Sequence, residues 1–109
     1  MASIRKRGNK YHISSDVTIG AFMGLGFMLL DGGHPKVAVE LLNDAIKDRF
    51  PESIQLHRVL GRAYEKMGSY EHAFKAYEIM VLKAKQQKHP RLDGFEKTLE
   101  WAKKKWLAK

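Results

Sequence analysis

Residues 60–77 read LGRAYEKMGSYEHAFKAY, and this stretch decides the fold. Leu60, Ala63, Tyr64 and Met67 recur at helical spacing, as do Ala73, Phe74, Ala76 and Tyr77. Each half therefore has one apolar face. Gly68-Ser69 breaks the chain between them, and glycine reverses direction after a helix without a steric penalty. The stretch reads as a helical hairpin. Shifted back by 35 residues, it meets a second copy of itself. Leu25-Gly26 falls on Leu60-Gly61, Leu29 on Tyr64, Gly33 on Gly68, Ala38 on Ala73 and Leu42 on Tyr77. Ala45 falls on Met80 and Phe22 on His57. A period of this size marks stacked helical repeats. The small residue on each first helix (Gly26, Gly61) lets its partner helix approach closely, and the large residue one turn later fills the space beside it. Ala38 and Ala73 are expected to complete the close crossing, and Leu42 and Tyr77 to plug into the following pair.

Outward from these copies the sequence predicts five helices. Ser14-Ser15-Asp16 supplies capping oxygens for a first helix over about 16–31, which stops at Gly32-Gly33. Pro35 suits the first turn of a second helix over about 35–49. Pro51 opens a third over about 52–67, and Ser69 caps a fourth over about 70–87. After Pro90 a fifth covers about 91–107, with Leu92, Phe95, Leu99, Ala102 and Trp106 on one stripe. No segment alternates apolar and polar residues with period two, so no sheet is expected.

At Leu60-Gly61, Tyr64, Gly68, Ala73 and Tyr77 the chain resembles the tetratricopeptide repeat family. The first copy departs from that pattern at Leu29 and Leu42, where the family favours aromatic residues, and the period of 35 exceeds the usual ~34. The proline that usually closes the second repeat is absent near residue 85. The resemblance implies an all-α superhelix of two hairpins, over 19–50 and 54–84, with residues 91–107 as a capping helix. A single domain over 14–109 would then follow a flexible basic arm over 1–13. It also implies a protein-interaction module, an adaptor or small chaperone, holding a partner peptide or helix in a concave face lined by the first helix of each hairpin. That lining maps onto Gly20, Met23, Phe27 and Leu30 in copy one, and onto Gln55, Arg58, Arg62 and Glu65 in copy two. Met23, Phe27, Leu30, Gln55, Arg58, Arg62 and Glu65 are the expected partner-binding residues. Some family members clamp a C-terminal carboxylate with lysines and asparagines. Met23, Phe27 and Val59 replace members of that clamp, so that activity is not expected.

The chain has 109 residues, enough for one small domain with a modest core. It has no cysteine, which excludes disulfides, thiolate metal sites and a cysteine nucleophile. Its net charge of +8 is uneven: residues 1–15 carry +4, residues 16–82 carry −2 and residues 83–109 carry +6. Basic ends suit nucleic acid, an anionic surface or an acidic protein, but also a solvated tail and helix face. The period and charge also resemble pentatricopeptide repeats, which read RNA base by base. Gly61 with Tyr64, only two repeats and no aromatic stacking platform favour the protein-binding side, so nucleic acid is not the expected partner. Arg5–Lys10 before the apolar run Ile19–Leu30 has the order of a signal peptide. Asp16, the lack of a small-residue cleavage site at 31–35 and the need for this run as a repeat helix argue against it. The run has 12 residues, short of the ~20 that span a bilayer. A cytoplasmic location is the default.

The first helix is apolar on every side: Phe22, Met23, Leu25, Phe27, Met28, Leu29 and Leu30 leave no polar face. Such a helix must be covered all round. Its outer side calls for the N-terminal arm, a partner's helix or a second copy of the chain, which makes a homodimer through this helix a candidate. Two repeats are also fewer than the ~3 that usually make a stable stack. A third structural reading is a dimerising domain of a larger protein.

No chemistry-bearing constellation is present. There is no glycine-rich phosphate loop, no serine–histidine–aspartate arrangement on strands and no paired carboxylates. The reading is non-enzymatic and needs no cofactor. The histidines at 12, 34, 57, 72 and 89 show no metal-ligand spacing. His57 is expected to fill the packing site that Phe22 fills in copy one. Trp106 is expected to pack, and Trp101 to be partly exposed.

Overall fold

A computed structural model describes residues 17–108, together with the backbone of residues 4–7 and 10–13. Five helices follow one another: α1 (Ile19–Asp31), α2 (Pro35–Asp48), α3 (Ile54–Lys66), α4 (Tyr70–Gln86) and α5 (Leu92–Leu107). The body is all-α, and each hairpin packs its two helices together. α3 packs against α1, α2 and α4, and α5 packs against α4.

The 35-residue period governs the hydrogen bonds as well as the side chains. Thr18 Oγ1 accepts from the Ala21 backbone N–H at 3.1 Å. Ser53 Oγ, 35 residues on, accepts from the Leu56 N–H, also at 3.1 Å. Both satisfy a donor that the first helical turn leaves without a partner. The helix ends repeat in the same way. Gly33 and Gly68 take φ of +79° and +73°. The following N–H groups donate back to the helix, His34 to the Leu29 carbonyl at 2.7 Å and Ser69 to the Tyr64 carbonyl at 2.9 Å. This is the glycine-based reversal expected between the helices of each hairpin.

Two expected helix starts and one expected cap need correction. α1 begins at Ile19 rather than near residue 16, because Thr18 caps it; Ser14, Ser15 and Asp16 lie outside the described residues. Pro51 does not open α3 but sits in the turn before Ser53. Glu52 in that turn is held by Lys83 of α4, with Nζ to Oε2 at 2.9 Å, and its carbonyl accepts from Gln87 Nε2 at 2.8 Å. Ser69 precedes α4 as expected, but its hydroxyl pairs with His72 Nδ1 at 2.7 Å and caps no backbone group.

The expectation of no sheet fails before the helical body. β1 (Ile4–Arg7) and β2 (Lys10–Ile13) form an antiparallel ribbon with Ile4 opposite Ile13 and Arg7 opposite Lys10. β2 lies against α2. The sequence carried a signal for it: Gly8-Asn9 between Arg7 and Lys10 is a two-residue composition favoured between paired strands.

Two apolar clusters make the core. One joins Phe22, Leu41, Leu42, Leu56 and Val59 across α1, α2 and α3. The other joins Tyr77, Met80, Phe95 and Ala102 across α4 and α5. Tyr64 packs against both. Each large aliphatic or aromatic side chain buried in this way contributes about 1.5–3 kcal/mol. Ala38 and Ala73 are fully buried, as the close crossings require.

The bulky partners also meet the glycines. Leu42 shares a core cluster with Leu56 and Val59 of the next hairpin, and Tyr77 one with Phe95 and Ala102 of α5; each also lies against the glycine of its own hairpin. A Cβ on Gly26 would lie 3.6 Å from Leu42 Cδ1, and a Cβ on Gly61 would fall within 2.7 Å of Tyr77 Cδ1 and Cζ. At Gly61 a Cβ would exclude the Tyr77 ring, whereas at Gly26 the tight neighbour is Val59 Cγ1 of α3, 3.0 Å from the added Cβ, and Leu42 would be in ordinary contact.

Candidate functional site

α1 packs against α3, and the 35-residue period gives the two first helices equivalent positions. Met23 on α1 corresponds to Arg58 on α3, and Phe27 to Arg62. Met23 and Phe27 are half-buried, packing one side of each chain on the first core cluster while leaving the other open. Arg62 is exposed and Arg58 half-buried. Arg58 Nε donates to Gln55 Oε1 at 3.0 Å, which orients both side chains along α3. The face is thus apolar on α1 and polar on α3.

Leu30 requires correction. It is only 8% exposed and belongs to the core. The cause is the roll of α1: Phe22, Gly26 and Leu30, spaced four apart, form its buried line. The open line instead carries Gly20, Gly24 and Met28, with Met28 70% exposed. Most of the apolar bulk of α1 therefore turns inward. The helix lacks a polar face because its outer positions are mainly glycine.

Glu65, 35 residues after Leu30, is half-buried and tied down. Its Oε2 accepts a hydrogen bond from the Tyr77 hydroxyl. Burial pushes the Tyr77 phenol well above its usual range, and the Glu65 hydrogen bond and charge push the same way; Arg62 and Arg58 oppose them. Tyr77 is therefore a neutral donor at any physiological pH, and Glu65 is held at the floor of the face.

Beyond α3 the face continues into a cleft that sequence reasoning did not assemble. Arg62 and Glu65 of α3, Tyr77 of α4, and Lys97, Thr98 and Trp101 of α5 line about 350 Å³. Lys97 lies 35 residues after Arg62. Carrying the period one step further would have pointed to it, because α5 continues the phase: Phe95 follows Leu60, and Leu99 follows Tyr64, at the same interval. Trp101 is 41% exposed, as expected of it. Its ring meets that of Tyr70 edge-on at 6.1 Å. Trp106 instead packs on Phe74, with centroids 5.4 Å apart.

A second cleft, of about 620 Å³, opens at the turn between the hairpins. Ile19, Phe50, Pro51 and Ile54 give it apolar walls, and Gln55, Gln87 and His89 are among its polar groups. No helix among the described residues is long and apolar enough to cross a membrane. His57, the counterpart of Phe22, is buried, and its Nδ1 lies 2.7 Å from the Ser53 carbonyl oxygen. Burial lowers its pKa, against the opposing pull of that carbonyl. It fills the packing position expected of it.

No protein-family model matches the chain, and a search of curated proteins finds no match. The functional reading therefore rests on geometry and on residue chemistry.

Proposed function

We propose that this protein is a tetratricopeptide-like interaction module, acting in the cytoplasm as a non-enzymatic adaptor or small chaperone. The partner is a protein segment, held along the face of α1 and α3. The observation that carries this reading is the equivalence of Phe27 on α1 and Arg62 on α3. They hold equivalent positions on neighbouring first helices, and both keep surface open. A strip of this kind offers an apolar anchor beside a charge-assisted hydrogen-bond donor, the combination that fixes both affinity and direction of a bound segment.

The test is selection from a random peptide library displayed on phage, with the full chain as bait. Selected peptides are expected to shift the amide resonances of Met23, Phe27, Arg58 and Arg62. A Phe27→Ser, Arg62→Ser double variant with an unchanged circular dichroism spectrum should lose them. Peptides that map away from these helices would end this reading, as would an absence of peptide binding alongside salt-sensitive capture of single-stranded RNA.

Self-association through α1 is the second reading, favoured by Met28 at 70% exposure. Sedimentation velocity would then show a dimer that Met28→Glu converts to monomer.

A further inference from the structure

The cleft between α3 and α5 is unevenly charged. Arg62 and Lys97 stand in its walls, and among the described residues neither is in a salt bridge. Arg58, one turn before Arg62, adds its positive field at Tyr77. The one acid in the lining is Glu65, and it already accepts the Tyr77 hydroxyl. Two lining cations, Arg62 and Lys97, thus face a single, engaged carboxylate, and both are exposed and keep their donors available.

Tyr77, Thr98 and Trp101 complete the lining, and Trp101 gives an aromatic surface beside the cations. About 350 Å³ admits one or two side chains rather than a folded surface. The planar fork of an arginine matches a carboxylate, and a lysine opposite supplies the second charge. Glu65 at the floor opposes a doubly charged phosphate more than a singly charged carboxylate. A nucleic acid would need a cationic track with several stacking rings, and this cleft has one tryptophan.

We propose that the cleft takes the side chain of a glutamate or aspartate from an extended partner segment, gripped between Arg62 and Lys97. The adjoining apolar residue of that segment lies against Trp101. This rests on the reading of the α1–α3 face as a segment-binding surface and extends that surface onto α5. It gives the partner a stated chemistry: an acidic residue next to an apolar one.

The probes are four nine-residue peptides of sequence Gly-Ser-Gly-Leu-X-Leu-Gly-Ser-Gly, with X as glutamate, glutamine, lysine or phosphoserine. Each is titrated into the full isotope-labelled chain, following the Trp101 indole N–H (assigned with Trp101→Phe) and the Arg62 and Lys97 amides. The glutamate peptide should move these signals and bind roughly tenfold tighter than the glutamine peptide, the size expected of a charge-assisted hydrogen bond. It should also bind tighter than the lysine and phosphoserine peptides. Arg62→Gln and Lys97→Gln should each erase most of the glutamate preference, and Arg62→Gln, which also removes a donor of the α1–α3 face, should weaken the glutamine peptide as well.

Equal binding of glutamate and glutamine peptides, with shifts at Met23 and Phe27, would overturn this inference but keep the segment-binding face. Tighter binding of the phosphoserine peptide would overturn it in favour of a phosphate site. No binding of any peptide would overturn it, and the library selection would then decide separately whether the face itself stands.

Discussion

Gly61→Ala tests the packing on which both hairpins depend. In an exposed helix the change would stabilise by about 1 kcal/mol, because alanine loses less backbone freedom on folding. At Gly61 the added Cβ would fall within 2.7 Å of Tyr77 Cδ1 and Cζ. The ring has little room to retreat. Tyr77 is fully buried, and its hydroxyl is tied to Glu65. Overpacking of a core costs about 1–3 kcal/mol, and the sub-3 Å approach to a buried ring places this change at about 3 kcal/mol. With the helix gain of about 1 kcal/mol subtracted, the expected net loss is about 2 kcal/mol. In a domain of this size that lowers Tm by about 8–16 °C. Gly24→Ala is the internal control, since nothing lies within 4 Å of its added Cβ; it should gain about 0.5–1 kcal/mol. Adding Tyr77→Leu to Gly61→Ala copies the Leu42 arrangement of the first hairpin and should recover part of the loss. Urea unfolding followed by circular dichroism at 222 nm measures all four. If Gly61→Ala proves as stable as the parent chain, Tyr77 does not lie over Gly61 and the repeat packing described above is wrong.

Two further outcomes follow from the fold. His57 has its pKa lowered below 6.5 by burial. The unfolded chain therefore takes up a proton first as pH falls, so stability should drop from about pH 6.5 down through the folded value and then level off. His57→Phe, which copies Phe22, should flatten this part of the profile in urea midpoints measured between pH 7.5 and 5; an unchanged slope would mean that His57 titrates freely. Thr18→Ala and Ser53→Ala should each cost about 1 kcal/mol, since each hydroxyl caps its own helix through the Ala21 and Leu56 N–H groups. If thermal melts show only one of the two costing stability, the equivalence of the two helix starts fails.

The helices and their turns were legible because their causes are local. A helix announces itself by apolar residues three and four apart, and a reversal needs a glycine such as Gly33 or Gly68 that tolerates positive φ. The ribbon of residues 4–7 and 10–13 is hard to read because IRKR shows no alternation and KYHI alternates over only four residues. The start of α1 was misplaced for a related reason. Ser14, Ser15, Asp16 and Thr18 all carry capping oxygens, and only the repeat phase, Thr18 with Ser53, distinguishes them.

The candidate face was legible in part. Family-type spacing put Met23 and Phe27 on α1 at positions equivalent to Arg58 and Arg62 on α3, and α1 packs against α3. Leu30 and Glu65 share that spacing yet diverge, one sinking into the core and the other binding the Tyr77 hydroxyl. By itself the sequence determined five helices, their reversals and the repeat that relates them, because each depends on residues within a turn or two. Only the tertiary structure decided the roll of α1, the seat of Tyr77 over Gly61 and the meeting of Arg62 with Lys97 and Trp101. Those depend on how side-chain volumes from separate helices settle against each other, and no local spacing encodes that fit.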